Sequence, residues 1–140
     1  MTRGQRPGLL ARAGVGLVVF GFFVFGVGVF PELIRLDLTP GFGILQITML
    51  LSGLTLMTLG AYVFLYATRH RATPRRLRED VGVRLMATGL VICYTTGFAD
   101  VLGIGSHFGA ERPLFGTLQG GGVVLGVLVI GVGIFLYSKR

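Results

Sequence analysis

The sequence predicts an all-α integral membrane protein with four transmembrane helices, arranged as two tandem helical hairpins. Three observations lead to this prediction. Apolar residues make up 52% of the 140 residues and the mean hydropathy is +0.78, well above the values of soluble domains. Four segments with few charges are each long enough to cross a hydrocarbon core of about 30 Å. A heptapeptide in the first half of the chain returns, at an offset of 73 positions, in the second half.

The four apolar segments divide the chain into two hairpins joined by a basic linker. Backbone polar groups inside lipid have no water to bond, so we expect helices in these segments despite their glycines and β-branched residues. The third segment is the least apolar because it contains Asp100. The predicted ranges are 1–68 for the first hairpin, with helices at about 13–30 and 42–67, 69–80 for the linker, and 81–140 for the second hairpin, with helices at about 83–104 and 119–137.

The heptapeptide at 40–46 shares five of its seven letters with 113–119. The shared residues include Pro40, Phe42, Gly43 and Gln46 in the first copy and Pro113, Phe115, Gly116 and Gln119 in the second. Proline suits a helix start, because its missing N–H has no helical partner there. We interpret the motif as the start of the second helix of each hairpin; the alternative is a pair of glutamines that contact a ligand.

The same offset, without a gap, also aligns Gly16 with Gly89 and Phe25 with Phe98. Each copy of this internal repeat crosses the membrane twice, an even number. The two copies are therefore predicted to share one orientation, related by an axis along the membrane normal, as in parallel repeats.

Basic residues predict the orientation. Of the 13 lysines and arginines, all except Arg35 and Arg112 lie in the N-terminal tail, in the linker, at the start of the third helix or at the C-terminus. Such residues are enriched in cytoplasmic loops, so both termini and the linker are predicted to face the cytoplasm from a cell membrane. The first apolar run meets Pro31 with no small-residue cleavage site, which favours a retained helix over a cleaved signal peptide.

The linker contains five arginines that are candidates for binding anionic lipid head groups. Each basic residue beside a membrane attracts such lipids by about 1 kcal/mol. Orientation signalling alone also accounts for their presence. The five residues are Arg69, Arg71, Arg75, Arg76 and Arg78.

Glycines recur at helical spacing along three of the predicted helices, which indicates close helix packing. Small residues allow helix backbones to approach closely in lipid, where apolar side chains gain little by leaving the lipid tails. The pattern does not decide whether these seams join helices of one chain or of two copies. The glycines are Gly14, Gly21 and Gly28, then Gly53 and Gly60, and finally Gly122, Gly126 and Gly133.

The third helix carries a polar stripe. Cys93, Thr96 and Asp100 fall on one face at 100° per residue. An acid in a membrane helix is a candidate functional site, but Asp100 lies near the outer end, where the cost of burial shrinks. Two interpretations remain: a cap or ion pair with Arg35 or Arg112, or a role with a proton, an ion or a cofactor.

The remaining histidines and the single cysteine exclude some kinds of site. Cys93 has no second cysteine for an intramolecular disulfide or a cysteine metal site. His70 and His107 are predicted on opposite sides of the membrane, so they cannot together hold one haem within a chain. His107 is either an axial ligand to a haem or pigment or an ordinary loop residue.

No pattern of catalytic residues is present, so we expect neither an enzyme nor a bound cofactor or metal. The phosphate-binding loop, the complete dinucleotide fingerprint and the H-E-x-x-H and G-x-S-x-G motifs are all missing from the sequence. The basic residues lie between hydrophobic runs rather than on one face of a soluble module, which argues against nucleic-acid binding.

The leading functional hypothesis is therefore a multi-pass membrane protein of structural or accessory type. Its partners would be the lipid bilayer and other membrane-protein subunits, in a larger complex, or further copies of itself. One alternative is a small oligomeric transporter or channel with a polar path around Asp100. A second alternative is a membrane module that binds anionic lipid through the linker arginines.

Overall fold

The computed structural model describes residues 8–30, 44–70, 74, 76–99 and 117–139, which form four α-helices. The helix α2 continues into a π-helical turn, Tyr66–His70. The prediction of an all-helical chain with four helices is confirmed. The helices are α1, Leu9–Val29; α2, Ile44–Leu65; α3, Leu77–Gly97; and α4, Thr117–Ser138.

The largest difference from the predicted boundaries is at α3, which begins at Leu77 rather than near residue 83 and ends at Gly97 rather than near residue 104. The predicted helix starts after Arg78, Glu79 and Asp80, because only the segment able to lie in lipid was considered. The structure begins it earlier, where the side chain of Glu79 accepts a hydrogen bond from the backbone N–H of Arg76 at 3.2 Å. This bond satisfies one of the N–H groups that a helix start leaves open.

Three of the four helical segments are long and apolar enough to cross a membrane: Leu9–Val29, Ile44–Arg69 and Leu118–Ser138. The helix α3 does not reach the same hydropathy, since it holds Arg78, Glu79, Asp80 and Arg84 in its N-terminal part. The chain is thus a helical protein suited to a membrane.

The outer surface agrees with a lipid environment. On α1, Phe20, Phe22 and Phe23 expose 62%, 62% and 70% of their surface, and on α4 Leu128 exposes 62%. Large contiguous apolar patches of this kind are rare on soluble monomers. Lipid tails would cover them without cost.

The helices α1 and α2 pack with their backbones in contact along glycines. A Cβ added at Gly21 would lie 2.7 Å from the backbone nitrogen of Met57 and 2.8 Å from the carbonyl oxygen of Gly53. Two helical turns further along α2, a Cβ at Gly60 would lie 2.8 Å from the carbonyl oxygen of Gly14. Only glycine fits at these positions, since real Cβ atoms do not approach backbone so closely. The first hairpin is therefore held by a glycine seam.

The helices α3 and α4 form a second seam of the same kind. A Cβ at Gly89 would lie 2.6 Å from the carbonyl oxygen of Gly126, and one at Gly82 would lie 2.8 Å from that of Gly133. Both seams thus lie within one chain, which the glycine spacing alone did not decide.

The helix boundaries of the two hairpins are related by two different offsets. The helices α2 and α4 each have 22 residues and begin 73 positions apart, which is the offset of the heptapeptide. The helices α1 and α3 each have 21 residues but begin 68 positions apart. Their seam glycines follow the same offset of 68, which pairs Gly14 with Gly82 and Gly21 with Gly89.

The ungapped offset of 73 therefore does not describe the packing of the first helix in each hairpin. That offset aligned Gly16 with Gly89, but Gly16 has no neighbouring atom within 4 Å of an added Cβ, whereas Gly89 lies in a seam. The difference of five residues falls between the helices, because the connection 98–116 is five residues longer than 30–43.

The two hairpins meet through buried apolar side chains. One buried cluster joins α2 to the second hairpin and consists of Ile47, Leu51, Leu54, Cys93 and Ile130. A second cluster, formed by Leu65, Met86 and Tyr137, lies nearer the end at which α2 and α4 finish. At that end a guanidinium nitrogen of Arg69 donates to the carbonyl oxygen of Ser138, so the C-terminal ends of α2 and α4 lie side by side.

The charged residues that the structure describes all lie toward one end of the helices. This basic end is where α1 and α3 begin and where α2 and α4 finish. The opposite end has no charge among the described residues. The charged residues are Arg12, Arg69, Arg76, Arg78, Glu79, Asp80, Arg84 and Lys139.

Candidate functional site

The polar stripe of α3 is a packing surface over its described length. Cys93 is completely buried, and its thiol donates to the carbonyl oxygen of Val123 at 3.5 Å. Its sulfur lies directly over Gly126, where an added Cβ would collide with it. Thr96 lies over Gly122 in the same way, and Asp100 lies outside the described residues.

The two side chains fill this space because of the glycines on α4. A glycine leaves a shallow depression on a helix surface, and a small side chain on the facing helix fits into it. Thr96 also donates its hydroxyl to the carbonyl oxygen of Ile92 at 2.7 Å, one turn back in its own helix. The polar atoms of Cys93 and Thr96 are thus satisfied inside the second hairpin.

Other threonines in the helices are satisfied in the same local way. The hydroxyls of Thr48, Thr58 and Thr88 each donate to the carbonyl oxygen four residues earlier, at 2.7, 2.8 and 2.8 Å. Such bonds remove the cost of an unpaired hydroxyl in lipid without requiring a neighbouring helix.

A hydrogen bond between side chains links the two hairpins. The hydroxyls of Thr55 on α2 and Tyr94 on α3 lie 2.9 Å apart. Thr55 also donates to the carbonyl oxygen of Leu51 at 2.8 Å. With that proton engaged, Tyr94 is the donor in the bond between the helices.

Replacing Tyr94 by phenylalanine should therefore cost little stability. Hydrogen bonds between membrane helices contribute on average about 0.6 kcal/mol, and the hydroxyl of Thr55 keeps its own-helix acceptor. Reversible unfolding of the purified protein by denaturing detergent would measure the change. In a double-mutant cycle with Thr55→Val, a coupling energy near zero would contradict the bond.

The two glutamines of the repeated motif occupy the same position in their helices. Gln46 and Gln119 are each the third residue, in α2 and α4 respectively. Gln119 is buried and Gln46 half-buried. The interpretation of the motif as a helix start stays a prediction, because three of its five shared residues in each copy lie outside the described residues. They are Pro40, Phe42 and Gly43 in the first copy and Pro113, Phe115 and Gly116 in the second.

The linker arginines are only partly described. Arg76 and Arg78 are exposed at the start of α3, and Arg69 reaches α4 as described above. Three more candidates, Arg71, Arg75 and His107, lie outside the described residues. The same is true of Arg35 and Arg112, the candidate ion-pair partners of Asp100.

A groove of about 570 Å³ lies at the basic end, between the start of α3 and the end of α4. It has both cationic and apolar walls. The ammonium group of Lys139 lies 4.4 Å from the centre of the Phe135 ring, a cation–π contact. The groove is lined by Arg76, Leu77, Arg78, Glu79, Val81, Leu136 and Lys139.

Sequence reasoning selected the two arginines of this groove but missed Lys139 and Leu136. These residues come from the end of the chain, some sixty positions after the arginines. The available signal was the pairing of α3 with α4 as one hairpin, which brings the start of the first helix beside the end of the second.

Within the described ranges, no group of three histidine, cysteine or acidic side chains is arranged to hold a metal ion. The chain matches no protein-family model, no curated protein and no solved structure.

Proposed function

We propose that this chain is a structural membrane protein, which acts as a packing subunit in a larger membrane complex or in an assembly of its own copies. The observation that carries the proposal is the contrast between its two kinds of surface. The interior is filled by glycine seams and aliphatic clusters, while the outer faces of α1 and α4 present large apolar side chains. Such a molecule offers surface for contact in the membrane plane.

The proposal includes α3 as a fourth membrane crossing. Its length equals that of α1, and it contacts α4 from Gly82 to Thr96. Its charges lie toward the basic end, where Arg84 is 79% exposed and pairs with Asp80 at 3.1 Å. A long basic side chain near a helix end reaches the head-group region while its stem stays in lipid.

The proposal also includes a duplicated hairpin with the basic end in the cytoplasm. Equal helix lengths and equivalent seam glycines support a common origin for the two hairpins. In this arrangement the second copy carries five additional residues in its outer connection. The clustering of basic residues at one end supports the cytoplasmic orientation of both termini.

The transporter alternative receives less support from the described residues. Cys93 and Thr96, two of the three residues of its polar path, are in contact with the glycines of α4. Side chains that fill a helix interface leave no room for a passing solute at that position.

Assembly in the membrane is the test of this function. Protein extracted in mild detergent and weighed by light scattering should exceed the 15.0 kDa of one chain, or should retain another membrane protein in fixed ratio. A cysteine introduced at Phe23, whose side chain is 70% exposed, should crosslink to a partner in intact membranes. Cysteine at Leu54, buried at 7% exposure, is the matched control. A lone monomer without a crosslink would refute the proposal.

A further inference from the structure

The groove at the basic end combines a cationic wall with an apolar wall, at the point where α4 ends. We propose that it is a binding site for one anionic phospholipid, with the phosphate at Arg76, Arg78 and Lys139 and an acyl chain along Val81 and Leu136. The inference requires that the helices lie in a membrane. It does not require that the protein assembles with partners.

The charge of the groove favours a phosphate group. Three cations contribute to its lining, against the single acid Glu79. Glu79 is buried, at 4% exposure, and one of its carboxylate oxygens accepts the backbone N–H of Arg76. That single carboxylate offsets one of the three positive charges, so the lining keeps a net charge of +2.

The neighbouring acid does not neutralise the groove either. Asp80 forms an ion pair with Arg84, which lies one turn further along α3 and away from the groove lining. The N-terminal end of α3 adds a partial positive charge in the same region, through the helix dipole. The electrostatic field at the groove therefore favours an anion.

The apolar wall selects a lipid rather than a free phosphate. Leu77 and Val81 expose 84% and 41% of their surface, which is costly for these side chains if only water covers them. Leu136 continues this wall onto α4, a helix apolar enough to cross the membrane. A phospholipid places its phosphate and its chains on these two walls at once.

The position of Lys139 at the end of α4 supports a site at the level of the head groups. A lysine at the end of a membrane helix extends its ammonium toward the head groups while its stem stays in lipid, and the ammonium of Lys139 lies over the Phe135 ring. The phosphate of a phospholipid lies at this same level. The groove is thus at the depth that a lipid head group occupies.

Titration of the detergent-solubilised full-length protein with phosphatidylglycerol and with phosphatidylcholine, followed by native mass spectrometry, tests the site. Each basic residue near anionic lipid accounts for about a fivefold change in affinity. The double variant Arg76→Gln, Arg78→Gln should therefore bind phosphatidylglycerol roughly 25-fold more weakly, with phosphatidylcholine binding unchanged. Glutamine at position 76 keeps the backbone N–H that Glu79 accepts, so α3 should still form.

The matched control removes one charge from the same end but outside the groove lining, and it leaves Arg84 in place because that residue pairs with Asp80. Arg12→Gln should change the affinity by less than about twofold. Equal losses in Arg12→Gln and Lys139→Gln would show diffuse attraction and overturn the site. The single variant Lys139→Gln, at an exposed helix end, should lose about fivefold and provides the test if the double variant does not fold.

Inorganic phosphate distinguishes a lipid site from a phosphate site. At millimolar concentration it should not displace phosphatidylglycerol, because it gains nothing from Val81 and Leu136. Displacement by phosphate alone would overturn the proposal. Val81→Ser should weaken lipid binding about threefold without changing the charge of the groove, and an unchanged affinity would likewise contradict the acyl-chain contact.

Discussion

Replacing Gly21 by leucine should unfold the first hairpin or lower its free energy of unfolding by about 3 kcal/mol or more, at the upper end of overpacking costs. The reason is that a Cβ there would lie 2.7 Å from the backbone nitrogen of Met57 and 2.8 Å from the carbonyl oxygen of Gly53. A backbone cannot rotate aside as a side chain does. The helices α1 and α2 would have to separate, which also breaks the contacts along the rest of the seam.

Denaturing-detergent titration of the purified protein, followed by circular dichroism, would measure the loss. Gly26→Leu is the control, because it makes the same chemical change on the same helix where an added Cβ meets nothing within 4 Å. It should change the stability by less than about 0.5 kcal/mol. Equal destabilisation by both variants would show that glycine is needed for the flexibility of α1 and not for close packing.

The sequence predicted the seams because glycine spacing reports how closely two backbones approach. Gly14 and Gly21 were singled out for this reason, and both lie against α2. The same spacing carries no information about which helix is the partner. The assignment of partners became visible only in the contacts between the helices.

The start of α3 was predicted too late because the argument from membrane length ignores helical turns outside lipid. Capping does not depend on hydropathy, and the bond from the backbone N–H of Arg76 to the side chain of Glu79 begins the helix among charged residues. The basic groove was not predicted from the sequence for a different reason. Its two cationic segments, around Arg78 and Lys139, are distant in sequence and become neighbours only when α3 and α4 pair.

The offset of 73 matches the starts of α2 and α4, which are 73 positions apart, but not those of α1 and α3, which are 68 apart. Identical residues reveal an alignment only where it contains no gap, and the connections 30–43 and 98–116 differ in length by five residues. Glycines with the same contacts in their seams are 68 positions apart in α1 and α3. Gly21 lies against the carbonyl oxygen of Gly53, and Gly89 lies against that of Gly126. In a glycine-rich chain, the contacts of a glycine in the helix interface indicate which residue of the other hairpin corresponds to it better than sequence identity does.

Truncating Leu51 to alanine should destabilise the contact between the two hairpins by about 2 kcal/mol, the lower end of the range for buried leucines. The lower end applies because a side chain that leaves this cluster enters lipid, so the loss is mainly one of packing contacts. Leu51 is completely buried and lies against Gly97 of α3, where an added Cβ would be 3.0 Å from its Cδ1 atom. It also shares a buried cluster with Cys93 and Ile130.

Leu59→Ala is the matched control on the same helix, since Leu59 is 50% exposed and should cost less than about 0.5 kcal/mol. The reaction of Cys93 with a small maleimide provides an independent measurement, because that thiol is buried in the same cluster as Leu51. Leu51→Ala should accelerate the reaction and Leu59→Ala should not. Each hairpin keeps its glycine seam in both variants. If Leu51→Ala speeds the labelling of Cys93 without loss of helicity, the buried cluster joins two hairpins that are each stable alone. Unchanged labelling would mean that the seam between α3 and α4 alone protects the thiol.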